Sequence, residues 1–177
     1  MGTKCVGQTV AKFIEHLNTD VGVPWDNMTI VSHSLGSQVA GATGNELGLR
    51  LKTLIALDPS YGLAGVNNLK NTSAEHVIVL HTSMALAQYF PTGTADFYVN
   101  TGVVQPGCIA MWAPQREQCA HYRSVELFNE ALENPKAFLA KETKGEQEDV
   151  YFSHDTKVRG VFAFKTRGEK PFSIESS

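Results

Sequence analysis

A chain of 177 residues that is 42% hydrophobic can bury a real core, which excludes disorder and fits one domain over 1–177. Its net charge is −3 and its 15 lysines and arginines form no cluster, so no nucleic acid partner is indicated. No apolar run approaches the roughly 18 residues of a membrane span.

Val6, Val10, Phe13, Ile14 and Leu17 recur at helical spacing, with Lys4, Lys12, Glu15 and Asp20 among them. The chain is therefore predicted to open with an amphipathic helix and not with a signal peptide. Pro24-Trp25-Asp26-Asn27 predicts a turn into a strand over 28–32, and Leu35, Gly36, Val39, Ala40 and Leu47 predict a helix running to about residue 47. A second apolar run, 54–57, ends in Asp58-Pro59, and a third, 76–81, leads by a loop to Asp96-Phe97-Tyr98. Val125, Phe128 and Leu132 predict a helix over 121–132, residues 143–149 read as a charged exposed tail, and 161–165 alternates like a late edge strand. Strands separated by helices or long crossovers predict an α/β fold with a mostly parallel sheet.

The stretch T-I-V-S-H-S-L-G-S-Q-V-A-G over 29–41 places Ser34 between a strand and a helix. A serine on such a junction sits on a tight turn, its hydroxyl lifted clear at the positive end of the helix dipole, as in a nucleophile elbow. The usual pattern has glycine two positions before and after the serine; Gly36 keeps it and Ser32 replaces the first with another small residue. A serine hydroxyl becomes a strong nucleophile when a histidine takes its proton, and the histidine needs a carboxylate to hold its tautomer. Ser34, Asp58 and His121 occur in the chain order Ser–acid–His, with Asp58 at the carboxyl end of a strand, although an Asp-Pro pair there is also a common turn. His121 has five competitors. His33 adjoins the nucleophile and is expected to point elsewhere, His16 lies on the first helix, His154 in a polar tail, and His76 and His81 flank a buried-looking strand.

Cys108 and Cys119 bracket a short loop that suits a local disulfide, leaving Cys5 as a free thiol or the partner of something absent. Asn27-Met28-Thr29 and Asn71-Thr72-Ser73 are sequons.

Taken together, S-H-S-L-G-S-Q-V-A-G at 32–41, A-L-D-P-S at 56–60, V-L-H-T at 79–82, A-D-F-Y-V-N-T-G at 95–102, P-G-C at 106–108 and C-A-H-Y-R-S at 119–124 resemble the pancreatic lipase family, especially its short insect lipases and sn-1 phospholipases. The resemblance implies a partial α/β-hydrolase fold, secretion, and hydrolysis of lipid carboxylic esters at a lipid–water interface without metal or cofactor. It places the nucleophile, acid and base on Ser34, Asp58 and His121, an oxyanion donor on the Leu35 amide, and the lid disulfide on Cys108 and Cys119. The lid between those cysteines has an apolar stretch, 109–113, and a polar one, 115–118, so Met111 and Trp112 are expected to touch lipid; a lid this short, after a short 84–95 loop, resembles those of the phospholipases. Against the family pattern, the chain begins at the helix before the nucleophile strand, which leads one to expect an open sheet edge and weak turnover. A second reading is a lipase-like lipid-binding or storage protein without catalysis, or a fragment.

Overall fold

The computed structural model describes residues 2–62, 66–145 and 148–174. Seven strands form one sheet in the order β1 (Thr29–His33), β2 (Thr53–Leu57), β3 (His76–His81), β4 (Ala95–Val99), β7 (Gly160–Phe164), β5 (Leu139–Glu142), β6 (Val150–Tyr151). The first five in that order are parallel, whereas β5 runs antiparallel to both β7 and β6. The expected α/β fold with a mostly parallel sheet is what the chain forms. The central strands β2 and β3 read as unbroken apolar runs because both their faces are covered.

Helices α1 (Thr3–Thr19) and α2 (Gly36–Leu47) cover one face, packing Ile14, Ala40 and Leu47 against Leu54, Ala56, Val77 and Val79. Helix α3 (Ala113–Glu133) covers the other, setting Leu127, Phe128 and Ala131 against Ile55, Leu57, Ile78, Leu80 and Phe97. The phenylalanines Phe97, Phe138, Phe152, Phe162 and Phe164 continue this second core beneath β4, β7 and β5. Fully burying each such side chain contributes about 1.5–3 kcal/mol.

Four expectations are corrected. The buried face of α1 runs through Gly7, Ala11 and Ile14, with Val10 and Leu17 flanking, while Val6 and Phe13 face solvent. Small residues form this face because α1 crosses α2 closely: a Cβ on Gly7 would stand 2.5 Å from the Ala42 Cβ and 2.8 Å from the Val39 carbonyl. Helix α3 begins at Ala113, not at 121, so the second half of the expected lid loop is helical. Strand β7 is interior, between β4 and β5; its alternation reflects cover on one face only, with Phe162 and Phe164 inward. Of the expected exposed tail over 143–149, residues 143–145, 148 and 149 are exposed, but they lie between the paired strands β5 and β6 and not in a tail, while 146 and 147 lie outside the described residues.

Gly7 gives the test of the helix crossing. Gly7→Ala should lower unfolding free energy by about 1–3 kcal/mol in urea titration, while Gly2→Ala, with open space around it, should change little. Equal stability of the two would show that α1 does not approach α2 this closely.

Candidate active site

In the parallel register His33 lies opposite Leu57, and Leu57 opposite Leu80. The next residues, Ser34, Asp58 and His81 among them, therefore gather at the carboxyl edge of the sheet, where open parallel sheets present ligand sites.

Ser34 has φ 56° and Asp58 φ 45°. A left-handed backbone on a non-glycine residue costs on the order of 1–3 kcal/mol and persists only where its surroundings hold it. Here they do. The Ser34 amide donates to the Leu57 carbonyl at 3.1 Å, its own carbonyl accepts from the amides of Ser37 and Ser60, and the Asp58 amide donates to the Leu80 carbonyl at 2.8 Å. The turn lifts the Ser34 side chain out of β1 and lets α2 start immediately, with Leu35 at its N-terminus. Backbone N–H groups there lack intrahelical acceptors, and the helix dipole favours negative charge.

The Asp58 side chain is fully buried. One carboxylate oxygen accepts from the amides of Thr82 (2.7 Å) and Ser83 (2.9 Å). The other accepts from the Ser83 hydroxyl (2.5 Å) and from His121 Nδ1 (2.6 Å). Four donors converge on one buried carboxylate. Because Nδ1 donates to it, the outward Nε2 of a neutral His121 is the ring's acceptor. Helix α3 carries His121, whose side chain is 13% exposed, and its backbone carbonyl accepts from the Ser124 hydroxyl and from His33 Nε2. The hydrogen bonds of the site join His121 to Asp58 but include none from the Ser34 hydroxyl to His121; such bonds are often long before substrate binds.

His33 does not point elsewhere as expected. Its ring packs on that of His121, centroids 4.5 Å apart, with Tyr122 at its edge. Burial, and next the neighbouring His121, hold the His33 pKa below its ordinary value of 6.5. The other histidines lie apart from this cluster: His81 is buried against Asp96, His76 stands beside Glu75 at the opposite end of β3, His16 pairs with Asp20 on α1, and His154 is exposed. The sequon residues Asn27 and Asn71 are exposed.

Cys108 and Cys119 form a disulfide with Cα atoms 5.7 Å apart, and Cys5 is free and exposed. The bridge ties the chain after β4 to the first turns of α3. Buried Arg123 supports it, donating to the Pro106 carbonyl at 3.0 Å and to the Cys108 sulfur at 3.7 Å. Between the cysteines, Trp112 is 66% exposed and Met111 43%. A cleft of about 310 Å³ is lined by Met84 and Ala85 after β3, Val103, Val104 and Ile109 after β4, and Arg116 and Glu117 of α3. Among the described residues no three His, Cys, Asp or Glu side chains converge to hold a metal ion.

Sequence reasoning missed Thr82, Ser83 and His33. The signal for the first two was present: H-T-S at 81–83 follows an apolar strand and supplies two amides and a hydroxyl at the edge where Asp58 emerges.

The family model described as Lipase matches residues 1–151. Phospholipase A1 2 of Polistes dominula is 36% identical over 138 residues, which cover 73% of this chain and 42% of that protein. Probable phospholipase A1 magnifin of Vespa magnifica is 37% identical over 139 residues, 73% of this chain and 40% of that protein. Phospholipase A1 of Vespa velutina is 36% identical over 139 residues, 73% and 45% respectively. The chain thus spans less than half the length of the curated relatives it matches.

The lowered pKa of His33 has a stability consequence. The folded state disfavours its protonated form, so below about pH 6.5 the unfolded chain binds more protons and stability falls. His33→Gln, which cannot titrate, should flatten part of this acid loss when urea midpoints are compared between about pH 7.5 and pH 5. An unchanged pH dependence would remove His33 as its source.

Proposed function

This chain belongs to the lipase family, and from that membership we propose that it forms the catalytic centre of a serine hydrolase of lipid carboxylic esters that cleaves the sn-1 ester of phospholipids. The observation that carries this reading is the 2.6 Å bond from His121 to the buried Asp58 carboxylate, one strand away from the left-handed Ser34. In the proposed reaction the Ser34 hydroxyl attacks the acyl carbonyl while His121 Nε2 takes its proton. The Leu35 amide, at the positive end of α2, donates to the oxyanion of the tetrahedral intermediate. Asp58 stabilises the imidazolium, which then gives its proton to the departing glycerol oxygen, leaving an acyl-serine and a lysophospholipid. Water, deprotonated by His121, attacks the acyl carbon; the fatty acid leaves and the proton returns to Ser34.

Support for a lipid surface as partner comes from the placement of exposed apolar side chains. Leu35, Met84, Leu86, Ile109, Met111 and Trp112 are all exposed and all follow the carboxyl ends of β1, β3 or β4. They therefore share the edge that holds Ser34 and Asp58. The short helix-capped lid and the phospholipase A1 names of the relatives support phospholipid over triacylglycerol. The disulfide supports an oxidising, secretory setting.

Hydrolysis is tested with phospholipid vesicles, triacylglycerol emulsion and a soluble short-chain ester. Phospholipid should lose its sn-1 acyl chain, and Ser34→Ala should lower turnover by at least about 10⁴-fold. Triacylglycerol cleavage with none of phospholipid would reject the substrate assignment, and vesicle binding with no hydrolysis of any ester would favour the storage reading. Trp112→Ala should weaken vesicle partitioning about tenfold while leaving the soluble ester's turnover in place.

A further inference from the structure

His81, the last residue of β3, and Asp96, the second of β4, form a buried hydrogen-bonded pair outside the proposed triad. The Nε2 to Oδ1 distance is 2.8 Å, and the two side chains are 0% and 2% exposed. His81 Nδ1 lies 3.0 Å from the Gln88 carbonyl. The two ring nitrogens thus face a backbone carbonyl and a carboxylate, and both are committed inside the fold. With both nitrogens engaged and no exposure, His81 has no free nitrogen to offer Ser34. The ring stacks on Tyr98, centroids 4.4 Å apart, and the Tyr98 hydroxyl donates to the Tyr89 carbonyl.

These contacts converge on one segment, the loop from Thr82 to Thr94. Its first two amides, Thr82 and Ser83, are the ones that bind the Asp58 carboxylate. Its middle is tied to the turn after Asp58: the Gln88 amide donates to the Pro59 carbonyl at 2.7 Å, and the Gln88 side-chain amide to the Ser60 carbonyl at 3.0 Å. Its last turn is tied to Asp96, which accepts from the amides of Thr92 (2.9 Å) and Gly93 (3.0 Å). The Ser60 amide in turn donates to the Ser34 carbonyl.

We propose that the His81–Asp96 pair is a positioning latch that closes the 82–94 loop around Asp58, so that the two amides orienting the catalytic carboxylate are held by a buried hydrogen-bonded pair rather than by the loop's own packing. His81 and Asp96 touch no substrate; they act through the loop. Their role in turnover rests on the reading of Asp58 and His121 given above, whereas their hold on the loop does not.

Two measurements on the full chain separate those claims. In native-state hydrogen exchange, the amides of Thr82, Ser83, Gln88, Thr92 and Gly93 should open as one unit with a shared denaturant dependence. In His81→Gln, which keeps a donor to one acceptor only, all five should exchange at least about 100-fold faster while β2 amides keep their rates. For a soluble short-chain ester, kcat should fall about 10- to 100-fold with KM unchanged, because a displaced orienting group slows chemistry without removing substrate contacts. A folded His81→Gln protein whose Thr82 and Ser83 amides keep their wild-type rates overturns the latch. Should neither His81→Gln nor Asp96→Asn fold, the wild-type exchange decides: Thr82 and Ser83 opening apart from Thr92 and Gly93 overturns it, and a common opening supports it. A wild-type chain without esterase activity defeats the functional reading alone and leaves the exchange result standing.

Discussion

The site depends on satisfying a fully buried carboxyl group. Taking a carboxylate out of water costs several kcal/mol unless donors replace its hydration. Asp58 receives four: the Thr82 and Ser83 amides, the Ser83 hydroxyl and the His121 ring. Three of them come from the chain leaving β3 and one from α3, so the carboxylate is satisfied only when both elements are in place. The fold's stability and the orientation of the imidazole are thus coupled at a single side chain.

The sheet supplies the geometry for this coupling through a repeated backbone device. Among the described residues, the three non-glycine ones with left-handed φ, Ser34, Asp58 and Asn100, each directly follow a strand: β1, β2 and β4. The conformation turns the chain sharply out of the sheet and aims the side chain above its carboxyl edge. Each is fixed by a neighbouring strand's carbonyl, from Leu57, Leu80 and Phe164 in turn. Asn100 also exchanges hydrogen bonds with Thr166, bracing the far side of the edge. Strain of this kind is tolerated because parallel neighbours over-determine the positions, and it places an exposed-edge serine beside a buried acid.

Much of this was legible in the sequence where one element's own pattern decides its structure. The runs at 54–57 and 77–80 are apolar because both faces are covered, and the small residues Ser32 and Gly36, two positions before and after Ser34, mark the elbow. What escaped is what neighbours decide. The contact face of α1 is built from Gly7 and Ala11, invisible to a reading that weighs large side chains, while Val6 and Phe13 advertise a face that is solvent. The first turns of α3 carry Pro114, Gln115, Arg116, Glu117 and Gln118, a polar run that reads as loop until the disulfide and Arg123 anchor it. Leu139–Glu142 buries only Ala140 fully, so nothing in it announces a strand before β7 offers its edge. Adjacency in sequence points His33 away from the serine, yet its ring packs on His121, where the left-handed turn at Ser34 interrupts the alternation of the strand.

In the proposed reaction Ser34 is activated through His121 by the buried Asp58. The most direct measurement is the rate at which a fluorophosphonate reagent labels the folded chain, read by intact mass and peptide mapping. One adduct is expected, on Ser34, formed at least about 100-fold more slowly in His121→Gln, where the proton acceptor is gone. A folded chain in which Ser34 stays unlabelled, or is labelled as fast without His121 as with it, would contradict that activation.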